Sequence, residues 1–106
     1  MRTELLENIC KLCERGVDVT LALRARKNVF LFLAQDAYLA EIYLIKGIIL
    51  FALDKKIQSL LSLKNAYKYF ERCLAAAPEV SGLLNYYHKS KIDLLEGLYN
   101  IAACTL

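Results

Sequence analysis

One stretch, residues 39–78, decides the fold: LAEIYLIKGIILFALDKKIQSLLSLKNAYKYFERCLAAAP. Its apolar residues recur three or four positions apart on both sides of a polar group that begins at Asp54. This spacing is typical of one face of an α-helix. Pro78 ends the second run, because the residue before a proline is held out of the α region. The stretch therefore predicts two amphipathic helices joined near Asp54, the second of which ends at Pro78.

The composition of the whole chain favours helices as well. The 106 residues include 58% hydrophobic residues, one proline and only four glycines. A chain of this length forms one domain, and so few turn-forming residues do not suit an all-β fold. We therefore predict a single all-α domain over residues 1–106, with about four to five helices paired in antiparallel hairpins.

A first helix is expected near the N-terminus. Thr3 is a plausible N-cap, and Gly16 is a plausible C-cap at which this helix would end. Residues at spacings of three and four define its apolar face: Leu6, Ile9, Cys10, Cys13 and Val17. We expect this face to be buried.

The pattern allows two ways to divide the middle of the chain into helices. The apolar residues from Leu21 to Leu53 form either one long helix or two helices that break near Gln35 and Asp36. A last helix is expected over residues 83–106, in which Gly97 would let a neighbouring backbone approach closely. Because this helix ends at Leu106 without a polar tail, we expect self-association or a longer helical-repeat protein of which this chain is a fragment.

Charge and hydropathy restrict the possible partners. The 14 basic and 11 acidic residues are interspersed and give a net charge of +3, so we expect no nucleic-acid partner. The most apolar window, Ala37 to Leu53, contains Glu41 and Lys46 and therefore indicates a buried helix. A membrane-inserted hairpin centred on this window is an alternative. The N-terminus lacks the apolar run of a signal peptide, which predicts a cytosolic protein with reduced cysteines.

Few residues suggest chemistry. Cys10 and Cys13 form a CxxC motif, but no strand precedes it, and we expect both thiols to be buried in the first helix. A zinc site would need two further ligands, for which only three residues are available: Cys73, His88 and Cys104. We expect His88 to be half-exposed beside two tyrosines. No catalytic, cofactor or metal site is predicted.

Glu41 is an acid inside the most apolar helix, where burial is costly unless the carboxylate is paired. We expect it to face solvent beside Tyr38 or Lys46. The alternative is that it faces a groove.

The spacing of small and aromatic residues resembles a tetratricopeptide repeat, a helix–turn–helix unit. In the second helix, Ala66, Phe70 and Pro78 stand where that repeat has a small residue, an aromatic residue and a proline. In the first helix, Tyr43 and Gly47 correspond to an aromatic residue and a glycine that lets the helices touch. The interval from Gly47 to Ala66 is 19 residues, whereas an ordinary repeat has about a dozen.

A longer unit of this kind resembles the tetratricopeptide repeat protein 39 family, including its fungal relative, the outer-membrane-associated inclusion-body clearance protein. The likeness covers about residues 38–106 and includes Gly97, Tyr99 and Asn100. It implies a non-enzymatic module that binds another protein and lies in the cytoplasm or peripherally on the mitochondrial outer membrane. Its implied role is clearance of inclusions or lipid homeostasis. A small thiol redox or zinc-binding protein that uses Cys10 and Cys13 is the alternative function.

Overall fold

A computed structural model describes residues 2–24, 27–76 and 82–106. Four α-helices follow one another in these ranges: α1 Arg2–Ala22, α2 Val29–Ala52, α3 Lys56–Ala76 and α4 Gly82–Cys104. None of the described residues is in a strand. The predicted all-α fold of about four helices is therefore confirmed.

The turn between α2 and α3 lies where the sequence predicts it. Asp54 has a positive φ of 62°, directly after the last turn of α2. The amide of Asp54 donates to the carbonyl of Phe51, and the amide of Lys55 donates to the carbonyl of Leu50. These two bonds satisfy carbonyls at the helix end and form a Schellman motif. The polar group beginning at Asp54 thus closes α2 and allows α3 to turn back along it.

The predicted ends of the first helix are wrong. α1 already includes Arg2 and Thr3, and it continues through Gly16 to Ala22. Gly16 does not end the helix because it is used for packing: a Cβ at this position would lie 2.9 Å from the Ile42 side chain. The missing side chain lets α1 approach α2, which outweighs the preference of glycine for a helix end.

The chain between Leu21 and Leu53 is neither one helix nor two helices that break at Gln35. α1 ends at Ala22, and α2 begins at Val29 after Asn28, whose side chain accepts a hydrogen bond from the Leu31 amide. This N-cap satisfies a free amide of the first turn and fixes the start of α2. Asp36 then lies well inside α2 and is buried.

The helices pack in chain order, with extensive contacts between α1 and α2, α2 and α3, and α3 and α4. Each of these neighbours is antiparallel, as shown for α2 and α3 by the contacts of Gly47 with Leu63 and of Asp36 with Arg72. One buried cluster joins all four helices and contains Val17, Leu39, Ala40, Leu44, Leu63, Ala66, Tyr69, Phe70, Ile92 and Leu95. A second, smaller cluster of Cys10, Ile49 and Leu50 lies between α1 and α2.

Candidate functional site

Four of the predicted motif residues meet where α2 crosses α3. A Cβ at Gly47 would lie 2.6 Å from Cδ2 of Leu63, so the glycine allows close contact as expected. Ala66 and Phe70 have no exposed surface. The ring of Tyr43 stacks on Tyr69 with 5.8 Å between centroids. These residues hold the α2–α3 hairpin together.

Two serines of α3 strengthen the same crossing, and the sequence reasoning missed both. Ser59 Oγ donates to the carbonyl of Gly47 at 2.6 Å, and Ser62 Oγ donates to the carbonyl of Tyr43 at 2.7 Å. Both serines are buried. Buried hydroxyl groups need such partners. The available signal for these two bonds was a pair of serines three residues apart, about one helical turn, on an otherwise apolar stripe.

The remaining motif residues are not brought together with these four. Pro78 lies outside the described residues. The expectation for Gly97 is wrong, since a Cβ there would meet no atom of the described residues within 4 Å. Tyr99 and Asn100 line an open groove of about 340 Å³ between α3 and α4, whose other lining residues are Leu63, Lys64, Tyr67, Leu95 and Glu96.

Cys10 and Cys13 lie on the buried face of α1, as the apolar pattern predicts. Cys10, Cys13 and Cys73 are buried, Cys104 is exposed, and all four are free thiols. Burial raises the pKa of Cys10 and Cys13, and it raises the pKa of Cys73 to about 11. Within the described ranges, no group of three or more potential ligands could hold a metal ion. Protonated thiols are poor nucleophiles and poor zinc ligands.

Glu41 is not paired in the way the sequence analysis expects. Tyr87 Oη donates a short hydrogen bond to Glu41 Oε1, and Lys91 Nζ lies 3.6 Å from Glu41 Oε2. The hydrogen bond to the carboxylate raises the pKa of Tyr87 to about 12. The carboxylate therefore links α2 to α4, because Tyr87 and Lys91 both belong to α4.

His88 is buried, so the expectation of half exposure is wrong. It lies on the side of α4 that faces α3, with the Phe70 and Tyr87 rings 6.1 and 5.6 Å away between centroids. Its Nδ1 has no hydrogen-bond partner among the described residues. Burial lowers the pKa of His88, and the Glu41 carboxylate opposes that change.

A buried charge cluster that the sequence analysis missed lies in the first half of α2. Asp36 Oδ1 is 2.5 Å from Arg24 Nη2, and Asp36 Oδ2 is 3.6 Å from Arg72 Nε. The guanidinium of Arg24 also lies 3.8 Å from the centre of the Phe32 ring. The cluster fixes Arg24, two residues beyond the end of α1, against α2 and α3. An aspartate at an apolar helix position was the signal for it, because a buried carboxylate requires such partners.

The remaining feature is a set of large apolar side chains that no described helix covers. On α1, they occur every seven residues at Leu5, Leu12 and Val19, and each is more than half exposed. This is an unusual arrangement for a surface, because a seven-residue period keeps side chains on one face of a helix.

The same seven-residue period occurs on two other helices. On α2 it places Tyr38 and Ile45 on one face, with Ile48 beside them. On α4 it places Tyr87, Leu94 and Ile101 on one face. All six side chains are close to half exposed.

These stripes lie on the same side of the molecule. Tyr38 reaches the Gly16 side of α1, which is also the side of Leu12. Ile48 and Ile101 line one small apolar hollow of about 60 Å³ among α2, α3 and α4. We call the nine residues the open face: Leu5, Leu12, Val19, Tyr38, Ile45, Ile48, Tyr87, Leu94 and Ile101. Sequence reasoning missed it, because each stripe alone looks like one more core face.

No family model matches the chain, and no curated protein and no solved structure matches it. Among the described helices, none is long and apolar enough to cross a membrane. The inference of function therefore depends on the residues themselves.

Proposed function

We propose that this chain is a non-enzymatic helical module that binds another protein through its open face. The observation that supports this function is the alignment of three exposed apolar stripes, one on each of α1, α2 and α4. Single exposed apolar residues are normal on protein surfaces, but a contiguous patch rimmed by polar residues marks an interaction site.

The size of the open face supports the same function. Nine side chains of this kind at about half exposure offer on the order of 700 Å². This is more than the few hundred Å² that a monomer usually exposes in one patch and close to the roughly 800 Å² that each partner contributes to a standard interface. A bound protein would remove this apolar surface from water.

The use of the buried polar groups supports a role other than catalysis. Asp36 is paired with two arginines, and the Ser59 and Ser62 hydroxyls are bonded to backbone carbonyls. Glu41 holds α4. Each of these groups stabilises a contact between helices. Few polar side chains are then left to act as an activated nucleophile or a general base.

The tetratricopeptide-like interpretation belongs to the same proposal. Its support is the close contact at Gly47 together with the buried positions of Ala66 and Phe70. Peripheral attachment to the mitochondrial outer membrane and a role in inclusion clearance or lipid homeostasis stay predictions from the resemblance. Fractionation of cells that express the tagged chain tests the location.

Photo-crosslinking from two positions tests the proposed function. A photoreactive amino acid at Ile45 lies in the open face, whereas the same group at Lys68 of α3 lies on an exposed position outside it. We expect protein adducts from position 45 that disappear when Leu94→Glu is added, and none from position 68. Equal adducts from both positions, or none from position 45, would contradict the proposal.

A thiol assay tests the alternative redox or zinc function. We expect Cys104 to react rapidly with a disulfide reagent, whereas Cys10, Cys13 and Cys73 react only on unfolding because they are buried and have raised pKa values. Rapid reaction of Cys10 in the folded protein, or zinc retained through dialysis, would favour the alternative.

A further inference from the structure

We propose that the groove between α3 and α4 binds a free amino acid with a large apolar side chain, whose ammonium group lies at Glu96 and whose carboxylate lies at Lys64. This site is separate from the open face and goes beyond the proposed function. It follows from the floor of the groove, from the charges on its two walls and from the tyrosines at its two ends.

The floor of the groove is apolar. Leu63 of α3 and Leu95 of α4 line it, and both belong to the core cluster with 3% and 1% of their surface exposed. The volume of the groove is about 340 Å³, which is within the range of roughly 300–1,000 Å³ that is usual for small-molecule sites. An apolar group that enters the groove leaves water. The floor therefore favours a small ligand with an apolar side chain.

The register of the two helices along the groove follows from contacts toward its two ends. The Phe70 ring of α3 lies 6.1 Å from the His88 ring of α4 between centroids. At the other end, Lys56 Nζ donates to the carbonyl of Thr105, directly after α4. Since α3 and α4 run antiparallel, these two contacts fix which residues face each other between them.

The two walls of the groove carry opposite charges at the same level. In this register Lys64 of α3 is level with Glu96 of α4, and both line the groove. Both side chains are exposed, and neither forms an ion pair or a hydrogen bond with another described residue. Each charge is thus available to a ligand that lies between the walls.

A free amino acid supplies the two complementary charges from one carbon atom. At neutral pH its α-ammonium and α-carboxylate groups are both ionised. The ammonium can donate to the Glu96 carboxylate while the ligand carboxylate accepts from Lys64 Nζ, and such charge-assisted hydrogen bonds are stronger than neutral ones. The side chain of the ligand then points to the apolar floor.

Two tyrosines limit the groove along its length. Tyr67 and Tyr99 each follow the charged wall residue of their own helix by three positions. Because the helices run in opposite directions, the tyrosines lie on opposite sides of the charged pair, offset by about 9 Å at 1.5 Å per residue. An extended peptide rises about 3.3 Å per residue and would run past both rings. One amino acid fits between them, and an aromatic side chain can pack against the tyrosine rings.

The electrostatics around Tyr67 agree with an ammonium group on the side of Glu96. Desolvation raises the pKa of the Tyr67 hydroxyl, and the carboxylates of Glu71 and Glu96 add to the rise. A negative field that disfavours a phenolate stabilises a cation in the same place.

A series of related ligands provides the test on the unmodified chain. The probe is L-phenylalanine. N-acetyl-L-phenylalanine lacks the ammonium charge, L-phenylalanine amide lacks the carboxylate, and glycine lacks the side chain. Amide NMR shifts of the isotopically labelled chain measure the affinity for each ligand. We expect L-phenylalanine to bind and each of the other three to bind at least about tenfold more weakly.

Matched variants of the chain locate the binding. Lys64→Gln and Glu96→Gln are each expected to weaken binding of L-phenylalanine by at least about tenfold. Lys68→Gln and Asp93→Asn remove exposed charges from the same two helices outside this groove and should leave the affinity unchanged. Circular dichroism of each variant confirms that it folds, and the ligand series decides the question for any variant that does not.

Each contrary outcome overturns this proposal. Absence of shifts with L-phenylalanine, or shifts confined to the open face, shows that the groove is not the site. Equal binding of the N-acetyl and amide derivatives indicates an uncharged or peptide ligand. Equal weakening by Lys68→Gln and Lys64→Gln indicates nonspecific charge attraction. Photo-crosslinking from position 45 depends on the open face, so the proposed function and the amino-acid site can fail separately.

Discussion

The two sides of α2 have nearly the same apolar composition and opposite surroundings. Leu44 is 4% exposed and lies in the core, whereas the next residue, Ile45, is 46% exposed and belongs to the open face. One side is covered by α3, which contributes two serine hydroxyl groups and an arginine to polar groups of α2. No described helix covers the other side.

The difference teaches that apolar periodicity marks a surface that needs covering and does not say what covers it. On the covered side, the small residue Gly47 and the charged residue Asp36 are explained by their neighbours on α3. On the open side, Tyr38 and Ile45 are each about half exposed. If the open side is an interaction surface, substitutions there should affect binding more than folding.

The largest effect is expected at the charge cluster of the covered side. Asp36→Ala leaves Arg24 and Arg72 without their shared carboxylate, which should cost about 3–5 kcal/mol of unfolding free energy because an unpaired charge remains partly buried. Urea unfolding followed by circular dichroism measures the loss. Asp93→Ala on the exposed side of α4 is the control and should change stability by less than about 0.5 kcal/mol. Similar losses from both variants would show that the cluster does not stabilise the fold.

A pair of adjacent residues provides the most direct comparison of the two sides. Leu44→Ala should cost about 2–5 kcal/mol, because it leaves a cavity in the core. Ile45→Ala removes a half-exposed side chain and should cost about 1 kcal/mol or less. Equal losses in urea unfolding would mean that Ile45 is covered within the chain, contrary to its exposure.

Two glycines extend the comparison to helix packing. Gly47→Ala places a Cβ against Leu63, so we expect a loss of about 1–3 kcal/mol from overpacking. Gly97→Ala meets open space and should stabilise α4 by up to about 1 kcal/mol, because alanine is the better helix former. Thermal unfolding of both variants measures the opposite signs. A loss at position 97 would indicate a neighbour close to that residue.

The smallest effect is expected from pH, because it depends on one histidine. The folded protein lowers the pKa of His88 from 6.5 through burial, while the Glu41 carboxylate opposes the change. The unfolded chain therefore binds more protons between the folded pKa and about 6.5. Stability is complete above this range and falls as the pH drops from about 6.5 through the folded pKa.

Urea unfolding at a series of pH values measures this dependence. His88→Leu should flatten the curve in that range, and Tyr86→Phe, an exposed neighbour on α4, should leave it unchanged. An unaltered slope in His88→Leu would assign the pH dependence to another group.

Much of the fold could be predicted because its signals are local. Periodicity located α3 and the end of α2, the polar group beginning at Asp54 located their turn, and the spacing of Tyr43, Gly47, Ala66 and Phe70 located their crossing. The end of α1 could not be predicted in the same way. Gly16 has the same local preference whether it ends a helix or packs against Ile42, and only the position of α2 distinguishes these outcomes.

The candidate site could be predicted much less well. His88 and Glu41 were recognised as unusual, but their partners lie on helices distant in sequence: Phe70 for the histidine, and Tyr87 and Lys91 for the carboxylate. The open face was missed altogether. Its stripes have the periodicity of core faces, and exposure depends on which helix faces are in contact, which periodicity does not encode.

By itself, the sequence determined that the chain is helical, where α2 turns into α3, and that Cys10 and Cys13 belong to a buried helix face, because these features follow from periodicity, turn chemistry and hydropathy over a few residues. Only the tertiary structure decided which apolar stripes form the core and which remain open. That choice depends on how four helices share a limited number of contacts: α3 covers one side of α2, and the stripe at Tyr38 and Ile45 stays accessible between α1 and α4.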